Sequence, residues 1–136
     1  RPVKLGGKRL LDGGVSDPIP VKWMLSRGYE KNVVVLTRDV KYRKKANPKM
    51  QLFLKAVLHK YPAFLKDLEE RHIHYNETLE ELSALEKEGR IHIIRPSSPI
   101  QAAMIERDES NLERIYQTGR ADMKKDLEKL KAYLDS

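Results

Sequence analysis

The unbroken run Val33-Val34-Val35-Leu36-Thr37 constrains the fold of this chain more than any other segment. Apolar and β-branched residues without polar alternation are typical of a strand covered on both faces, and hence of a parallel sheet. The preceding pattern predicts a strand over residues 8–15 and a helix over residues 17–27, with Asp17 as N-cap and Pro18 in the first turn. Strand, helix and strand with short connections predict a βαβ unit, so we expect an α/β fold with a parallel sheet and flanking helices.

The remainder of the chain alternates helical patterns with one further strand. The predicted elements are helices over residues 49–60 and 62–74, a helix that Asn76 or Thr78 caps and Gly89 ends, a strand over residues 91–94, and a helix over residues 110–134.

Gly119 interrupts the last of these helices, which indicates that a neighbouring backbone approaches closely there. We expect two parts, an α/β domain over residues 1–95 and a C-terminal helical extension over residues 96–136.

Composition excludes several classes of protein. The 136 residues include no cysteine, so disulfides, thiolate nucleophiles and cysteine-based zinc sites are absent. No apolar run approaches the roughly 18 residues that span a bilayer, and residues 1–14 lack the apolar core of a signal peptide. Glycine-rich nucleotide-binding motifs are also missing. We therefore expect a cytoplasmic protein without a cofactor.

The spacing of the histidines does not predict a metal site. His72 and His74 would share a face only in an extended segment, and no third ligand is evident, so they are better interpreted as surface residues, as is His59. His92 alternates with Ile91 and Ile93, so we expect its side chain to point away from the core.

The net charge of +7 is unevenly distributed. Basic residues concentrate between Arg38 and Lys60, opposed only by Asp39, whereas residues 67–88 are rich in aspartate and glutamate. The basic stretch can attract phosphate groups, either in anionic lipid or in nucleic acid. A solvated loop and helix face would carry the same charges, and the sequence leaves both interpretations open.

The segment Leu11-Asp12-Gly13-Gly14 holds the strongest candidate for catalysis. If a strand ends at Leu11, the glycine pair would fix the Asp12 carboxylate at the strand end, where α/β folds keep their chemistry. A fixed and partly desolvated carboxylate can act as general base toward a serine hydroxyl. Asp-Gly is equally a common hairpin turn. Ser16 is a poor nucleophile, because Pro18 occupies the place of the last glycine in the G-x-S-x-G motif.

Residues 11–20, Leu-Asp-Gly-Gly-Val-Ser-Asp-Pro-Ile-Pro, resemble the catalytic-aspartate block of bacterial patatin-like phospholipases. Three later segments resemble the same family in the same order, namely residues 33–38, 42–45 and 94–97. The likeness extends from about Arg9 to the last helix, and the ordered series is more specific than Asp-Gly-Gly alone.

This resemblance implies a partial patatin-like α/β fold and the hydrolysis of carboxylic esters of lipids by a Ser-Asp dyad. Asp12 would be the general base, and Gly13 and Gly14 would shape its turn. The family's serine and oxyanion loop belong to its N-terminal half and have no counterpart here. We therefore expect the C-terminal part of such an enzyme, inactive by itself, with exposed sheet edges that favour a homo-oligomer.

The expected partners are a lipid or fatty-acyl ester substrate and, peripherally, an anionic membrane. The residues expected to contact anionic head groups are Arg38, Lys41, Arg43, Lys44 and Lys45. The alternative is a non-enzymatic basic module that binds anionic lipid or nucleic acid through residues 38–60. Few aromatic residues accompany these charges, so nucleic acid is the weaker expectation.

Overall fold

The structure is a computed structural model that describes residues 3–102 and 106–136. The chain is mixed α/β and ends in a long helix. Its strands are β1 (Val3–Leu5), β2 (Lys8–Leu10), β3 (Asn32–Val35) and β4 (Ile91–Ile94), and its helices are α1 (Val21–Ser26), α2 (Pro48–Leu58), α3 (Pro62–Lys87) and α4 (Glu109–Asp135). No helix in the described ranges is long and apolar enough to cross a bilayer.

Two compact units make up the fold. The first unit comprises Arg1–Pro20 and Arg43–Glu81, and the second comprises Val21–Tyr42 and Leu82–Ser136. The predicted division at residues 95 and 96 stays a prediction.

An antiparallel hairpin of β1 and β2 begins the first unit, with Leu5 opposite Lys8. Gly6 and Gly7 form its turn with φ of +55° and +76°, as two-residue hairpin turns require. The prediction of a parallel strand over residues 8–15 is therefore wrong. Extended backbone ends at Leu10, and residues 13–15 form a 3-10 turn that Asp12 caps. The hairpin turn lies at Gly6-Gly7 and not at Asp12-Gly13.

Helix α1 begins at Val21, four residues later than Asp17, the predicted N-cap. Asp17 and Ile19 each precede a proline, and the proline ring disfavours helical backbone at the residue before it. The N–H of Asp17 instead donates to the carbonyl of Gly13 at 2.8 Å. Gly28, at φ +82°, ends the helix.

Helix α3 continues for 26 residues, where the sequence predicted two helices. Asn76, one expected cap, instead accepts a hydrogen bond from the N–H of Lys44 at 2.8 Å and donates to its carbonyl at 3.0 Å. Thr78, the other, donates its hydroxyl to the carbonyl of His74 at 2.8 Å. Neither side chain caps the backbone, so the helix runs on until Gly89, which has φ +71°.

Strands β3 and β4 form the parallel pair of the second unit, with Val33 opposite His92. Parallel pairing of the apolar run is thus confirmed, although its partner is the strand at residues 91–94 and not residues 8–15. Ile91 and Ile93 are buried, whereas Val33 and Val35 remain 40% and 68% exposed. Within the described residues, the expected cover on both faces of β3 is therefore incomplete.

Helix α4 packs on β4 through His92 and Tyr133. His92 lies on the face opposite Ile91 and Ile93, as expected, and its Nε2 lies 2.5 Å from Asp126 Oδ2 on α4. The Tyr133 ring stacks on His92 with centroids 5.7 Å apart. Its hydroxyl accepts from the N–H of Asn32 at 2.8 Å and donates to the carbonyl of Arg90 at 3.0 Å. One phenol group therefore joins the starts of both strands to the end of α4.

Tyr133→Phe removes both hydroxyl hydrogen bonds and keeps the ring stack. The N–H of Asn32 is then left without its acceptor in a part-buried place, so we expect the free energy of unfolding to fall by about 1–3 kcal/mol. Urea denaturation followed by circular dichroism measures this loss. Tyr116→Phe, at an exposed position of the same helix, is the matched control and should change stability by less than about 0.5 kcal/mol. Equal losses in the two variants would contradict the role of the Tyr133 hydroxyl.

Candidate functional site

The Asp12 carboxylate caps the turn that follows it. Its Oδ1 accepts a hydrogen bond from the N–H of Gly14 at 2.7 Å. The N–H groups of Ser16 and Asp17 both donate to the carbonyl of Gly13, at 3.1 and 2.8 Å, which closes the turn. Asp12 is exposed, and in the described part of the chain its second oxygen, Oδ2, accepts no hydrogen bond. One carboxylate oxygen is therefore anchored in the turn, and the other has no hydrogen bond from the described residues.

The two glycines of this turn serve differently. A Cβ on Gly14 would lie 3.1 Å from Asp12 Oδ1, so the glycine gives the carboxylate room to approach the Gly14 N–H. A Cβ on Gly13 would meet no atom within 4 Å. Neither residue has positive φ, unlike Gly6 and Gly7 of the hairpin. The turn therefore uses Gly14 for close approach, and nothing in the structure requires glycine at position 13.

Arg71 of α3 joins this turn to the helix. Its Nε donates to the carbonyl of Gly14 at 3.1 Å, across 57 residues of sequence. Hydrogen bonds from charged donors are among the stronger ones, and this one is part-buried. Sequence reasoning did not identify Arg71, since its partner is a backbone carbonyl. The available signal was an arginine within the acidic stretch of residues 67–88.

A cleft of about 300 Å³ lies beside the turn in the first unit. Its lining residues are Val15, Ser16, Pro18, Asp67, Arg71 and His74. The Ser16 hydroxyl donates to the carbonyl of Gly13 at 3.3 Å, so it helps to close the turn. The cleft therefore combines apolar walls with an acid, a base and an arginine that is fixed at one end by Gly14.

His74 and His72 lie on different sides of α3. At about 100° per residue, positions two apart diverge by about 200° on a helix, so the pair shares no face. His74 Nδ1 lies 3.2 Å from Glu77 and Nε2 lies 3.5 Å from Glu70. The hydrogen bond to Glu77 is the main cause that raises the pKa of His74 above 6.5. Within residues 3–102 and 106–136, no three side chains are grouped to hold a metal ion.

The five basic residues predicted to contact head groups are divided between the two units. Arg38 and Lys41 belong to the second, where the Arg38 guanidinium lies 5.0 Å from the Tyr42 ring centroid. Arg43, Lys44 and Lys45 belong to the first, where Lys44 Nζ lies 5.3 Å from the ring centroid of Tyr75. The Lys44 backbone is fixed to α3, so the last three positions have a defined place.

A second concavity, of about 320 Å³, lies in the second unit beyond the carboxyl ends of β3 and β4. Its walls are mainly apolar, and they include Val35, Ile94 and Met123. Gly119 lines it, and among residues 3–102 and 106–136 a Cβ there would meet no atom within 4 Å. Within those residues, the predicted close backbone approach at Gly119 is therefore not observed.

Fold and site define a mixed α/β chain that presents an anchored carboxylate beside a cleft with both apolar and charged lining residues. The chain belongs to the family described as Domain of unknown function (DUF6363), whose model matches residues 61–135, more than half of its length. No curated protein and no solved structure matches the chain. The matched segment includes Arg71 and His74, whereas Asp12 and the basic loop precede it.

Gly14→Ala and Gly13→Ala form a matched pair that tests the Asp12 turn. In Gly14→Ala the new Cβ would lie 3.1 Å from the carboxylate, which must then shift by a few tenths of an ångström and weaken its hydrogen bond. We expect the amide of residue 14 to exchange with solvent several times faster, since capping bonds of this kind contribute about 1 kcal/mol. Amide exchange by NMR measures this, with Gly13→Ala unchanged. Equal protection in both variants would contradict the turn geometry.

The His74 ring provides a test of the electrostatics of α3. NMR titration should give a pKa above 6.5, and Glu77→Gln should bring it back toward that value, with Glu70 still in place. Since the folded pKa is raised, any stability from these contacts is fully present below pH 6.5 and is lost as the pH rises through the folded pKa. Glu80→Gln is the control and should leave the titration unchanged. A His74 pKa at or below 6.5 in the unaltered chain would contradict the arrangement.

Proposed function

We propose that this chain is the C-terminal part of a patatin-like serine acyl hydrolase that cleaves carboxylic esters of lipids. In this proposal Asp12 is the general base of a Ser-Asp dyad. The observation that carries it is the Asp12 turn, in which Gly14 fixes Oδ1 of an exposed carboxylate while Oδ2 accepts no hydrogen bond from the described residues. The ordered resemblance of residues 11–20, 33–38, 42–45 and 94–97 to the bacterial family supports the choice of chemistry.

In the proposed reaction the nucleophilic serine and the oxyanion loop come from polypeptide outside residues 1–136. Asp12 Oδ2 takes the serine proton as the hydroxyl attacks the ester carbonyl, and the departing alcohol then receives that proton. In the second half of the reaction, Asp12 takes a proton from a water molecule, which attacks the acyl-enzyme and releases the fatty acid. The proton returns to the serine oxygen, so the dyad is restored.

The anchored turn suits this role for a physical reason. A general base has to lie within hydrogen-bond reach of the serine in a fixed direction. The Gly14 N–H fixes the rotation of the carboxylate, and Arg71 ties the same turn to α3. Polypeptide that covered the exposed Asp12 side chain would also remove water from the carboxylate. Because desolvation disfavours the charged form, the carboxylate would then be a stronger base.

The patatin-like fold is the structural part of the proposal. A sheet of two strands is marginal by itself, so further strands extend it in this proposal, and helices or other polypeptide cover the apolar face of β3 on which Val33 and Val35 are exposed. In the same proposal Arg38, Lys41 and residues 43–45 contact anionic head groups, so the enzyme works in the cytoplasm at membrane surfaces. Association of copies through uncovered edges is proposed for the chain by itself.

The alternative is a basic module without catalysis. Its support is the segment between Asp39 and Asp67, which contains no acidic residue. This segment covers all of the expected binding stretch, residues 38–60, except its first two residues. A module of this kind would bind anionic partners with an affinity that falls steeply as salt is added, and it would lack esterase activity.

The proposal predicts the effect of Asp12→Asn in a polypeptide that joins this chain to the preceding half of its natural protein. We expect p-nitrophenyl ester hydrolysis to fall by roughly 10²–10⁴-fold, since general-base catalysis contributes about that much. Asp17→Asn, which alters an exposed carboxylate five residues away, is the matched control and should retain activity within about twofold.

Retained hydrolysis in Asp12→Asn would contradict the role of Asp12. Absence of activity in the unaltered polypeptide would reject the hydrolase and favour the basic module. Circular dichroism of each variant ensures that a loss of activity is not a loss of fold.

A further inference from the structure

Helix α2 exposes apolar side chains where a surface helix ordinarily carries polar ones. Leu52, Phe53 and Val57 are 72%, 62% and 56% exposed, and Met50 is 51% exposed. At about 100° per residue these positions share the outward half of the helix. Single exposed apolar residues are common on protein surfaces, but Leu52, Phe53 and Val57 on one side of a single helix indicate an interaction surface. Met50, the fourth exposed residue, also lines the concavity between α2 and α3.

The opposite side of α2 already has its partner. Gln51 donates through Nε2 to the carbonyl of Glu69 on α3 at 3.3 Å, and Lys55 Nζ lies 3.0 Å from Glu69 Oε1. Leu54 of α2 lines a small concavity together with Leu68 of α3. The side of α2 that carries Gln51, Leu54 and Lys55 therefore faces α3. The outward side needs a different partner.

The charges around this outward side have one sign. No aspartate or glutamate occurs between Asp39 and Asp67, and the basic residues of this interval within the first unit are Arg43, Lys44, Lys45, Lys49, Lys55, Lys60 and Lys66. Lys49 lies between Leu52 and Phe53 around the helix axis. An apolar strip with interspersed lysines complements a partner whose outer layer is negatively charged and whose interior is apolar.

We propose that the outward side of α2, formed by Leu52, Phe53 and Val57 with Lys49, binds the surface of an anionic lipid bilayer together with Lys60, which lies just beyond the end of the helix. The apolar side chains enter the boundary between head groups and acyl chains, and the lysines contact the phosphates. This surface does not depend on the hydrolase proposal, because lipid binding needs neither Asp12 nor a serine.

Two other partners fit the surface less well. Nucleic acid would use the lysines, but Leu52 and Val57 offer no hydrogen bonds to bases or phosphates, and one phenylalanine provides little stacking. A second copy of this chain would bring Lys49 and Lys60 against the same lysines, and such like-charge contacts oppose association. Charge complementarity together with apolar exposure therefore favours the bilayer.

Vesicle flotation of the 136-residue chain tests the proposal. We expect binding to vesicles of phosphatidylglycerol in phosphatidylcholine, and little binding to phosphatidylcholine alone. Leu52→Gln with Phe53→Gln should weaken partitioning by at least about tenfold, because the inserted apolar area is lost. Lys49→Gln with Lys60→Gln should weaken it by roughly thirtyfold, since each lysine near an anionic surface contributes about fivefold.

Matched controls come from α4. Leu112→Gln with Tyr116→Gln alters two exposed apolar residues there, and Lys124→Gln with Lys129→Gln removes the same net charge. Both controls should bind vesicles within about twofold of the unaltered chain. If the control pairs weaken binding as much as the α2 pairs do, the interaction is diffuse and the proposal fails.

A fluorescent reporter tests insertion directly. The chain contains one tryptophan, so Trp23→Phe with Phe53→Trp places the emission on α2. The proposal predicts a blue shift when anionic vesicles are added. No shift would overturn insertion. A blue shift that is present without lipid and is lost on dilution would assign this face to a second copy of the chain. A DNA oligonucleotide that competes with the vesicles equally well would assign it to nucleic acid.

Discussion

The hydrogen bond from Arg71 Nε to the carbonyl of Gly14 determines where the candidate base lies in the first unit. The other bonds of the Asp12 turn are local, joining residues two to four apart, and they define its shape without attaching it to anything. Arg71 adds the attachment across 57 residues, from a helix of 26 residues that carries the cleft's acid and histidine. A part-buried bond from a charged donor contributes about 1.5–3 kcal/mol. The direction of the Asp12 carboxylate thus depends on α3.

In the second unit the comparable constraint is the parallel pairing of β3 with β4. Parallel strands need a long crossover between them, and here α2 and α3 lie in that connection. Tyr133 and His92 then hold α4 on the pair. The strand pair leaves Val33 and Val35 exposed, which is the physical reason for proposing that further polypeptide packs on this face of the sheet.

Local signals in the sequence predicted the elements whose ends are set locally. Gly89 was predicted to end its helix, and it does so with positive φ. Asn47 was not predicted as a cap, although it caps α2 through the N–H of Met50. The apolar runs at residues 33–37 and 91–94 predicted strands, and the missing polar alternation of the first run predicted a parallel sheet, although the partner predicted for it was residues 8–15 and not residues 91–94.

Elements that depend on distant partners were not predicted. Asn76 looks like a helix cap in the sequence, but its amide group is engaged by the backbone of Lys44, so α3 continues through it. The role of Arg71 depends on a carbonyl that no sequence pattern marks. At the candidate site, the sequence predicted a turn at Asp12. That this turn needs a glycine at position 14 but not at position 13 is evident only from the position of the Asp12 carboxylate oxygen.

The role of Asp12 toward a serine outside this chain can be measured directly with a fluorophosphonate, which forms a covalent adduct with activated serines. The reagent would be applied to the longer polypeptide, and the adduct located by mass spectrometry after proteolysis. We expect the adduct on a serine that precedes residue 1, formed at a rate that requires the Asp12 carboxylate. An adduct on Ser16, or labelling that proceeds equally without the carboxylate, would contradict the assignment of Asp12 as general base.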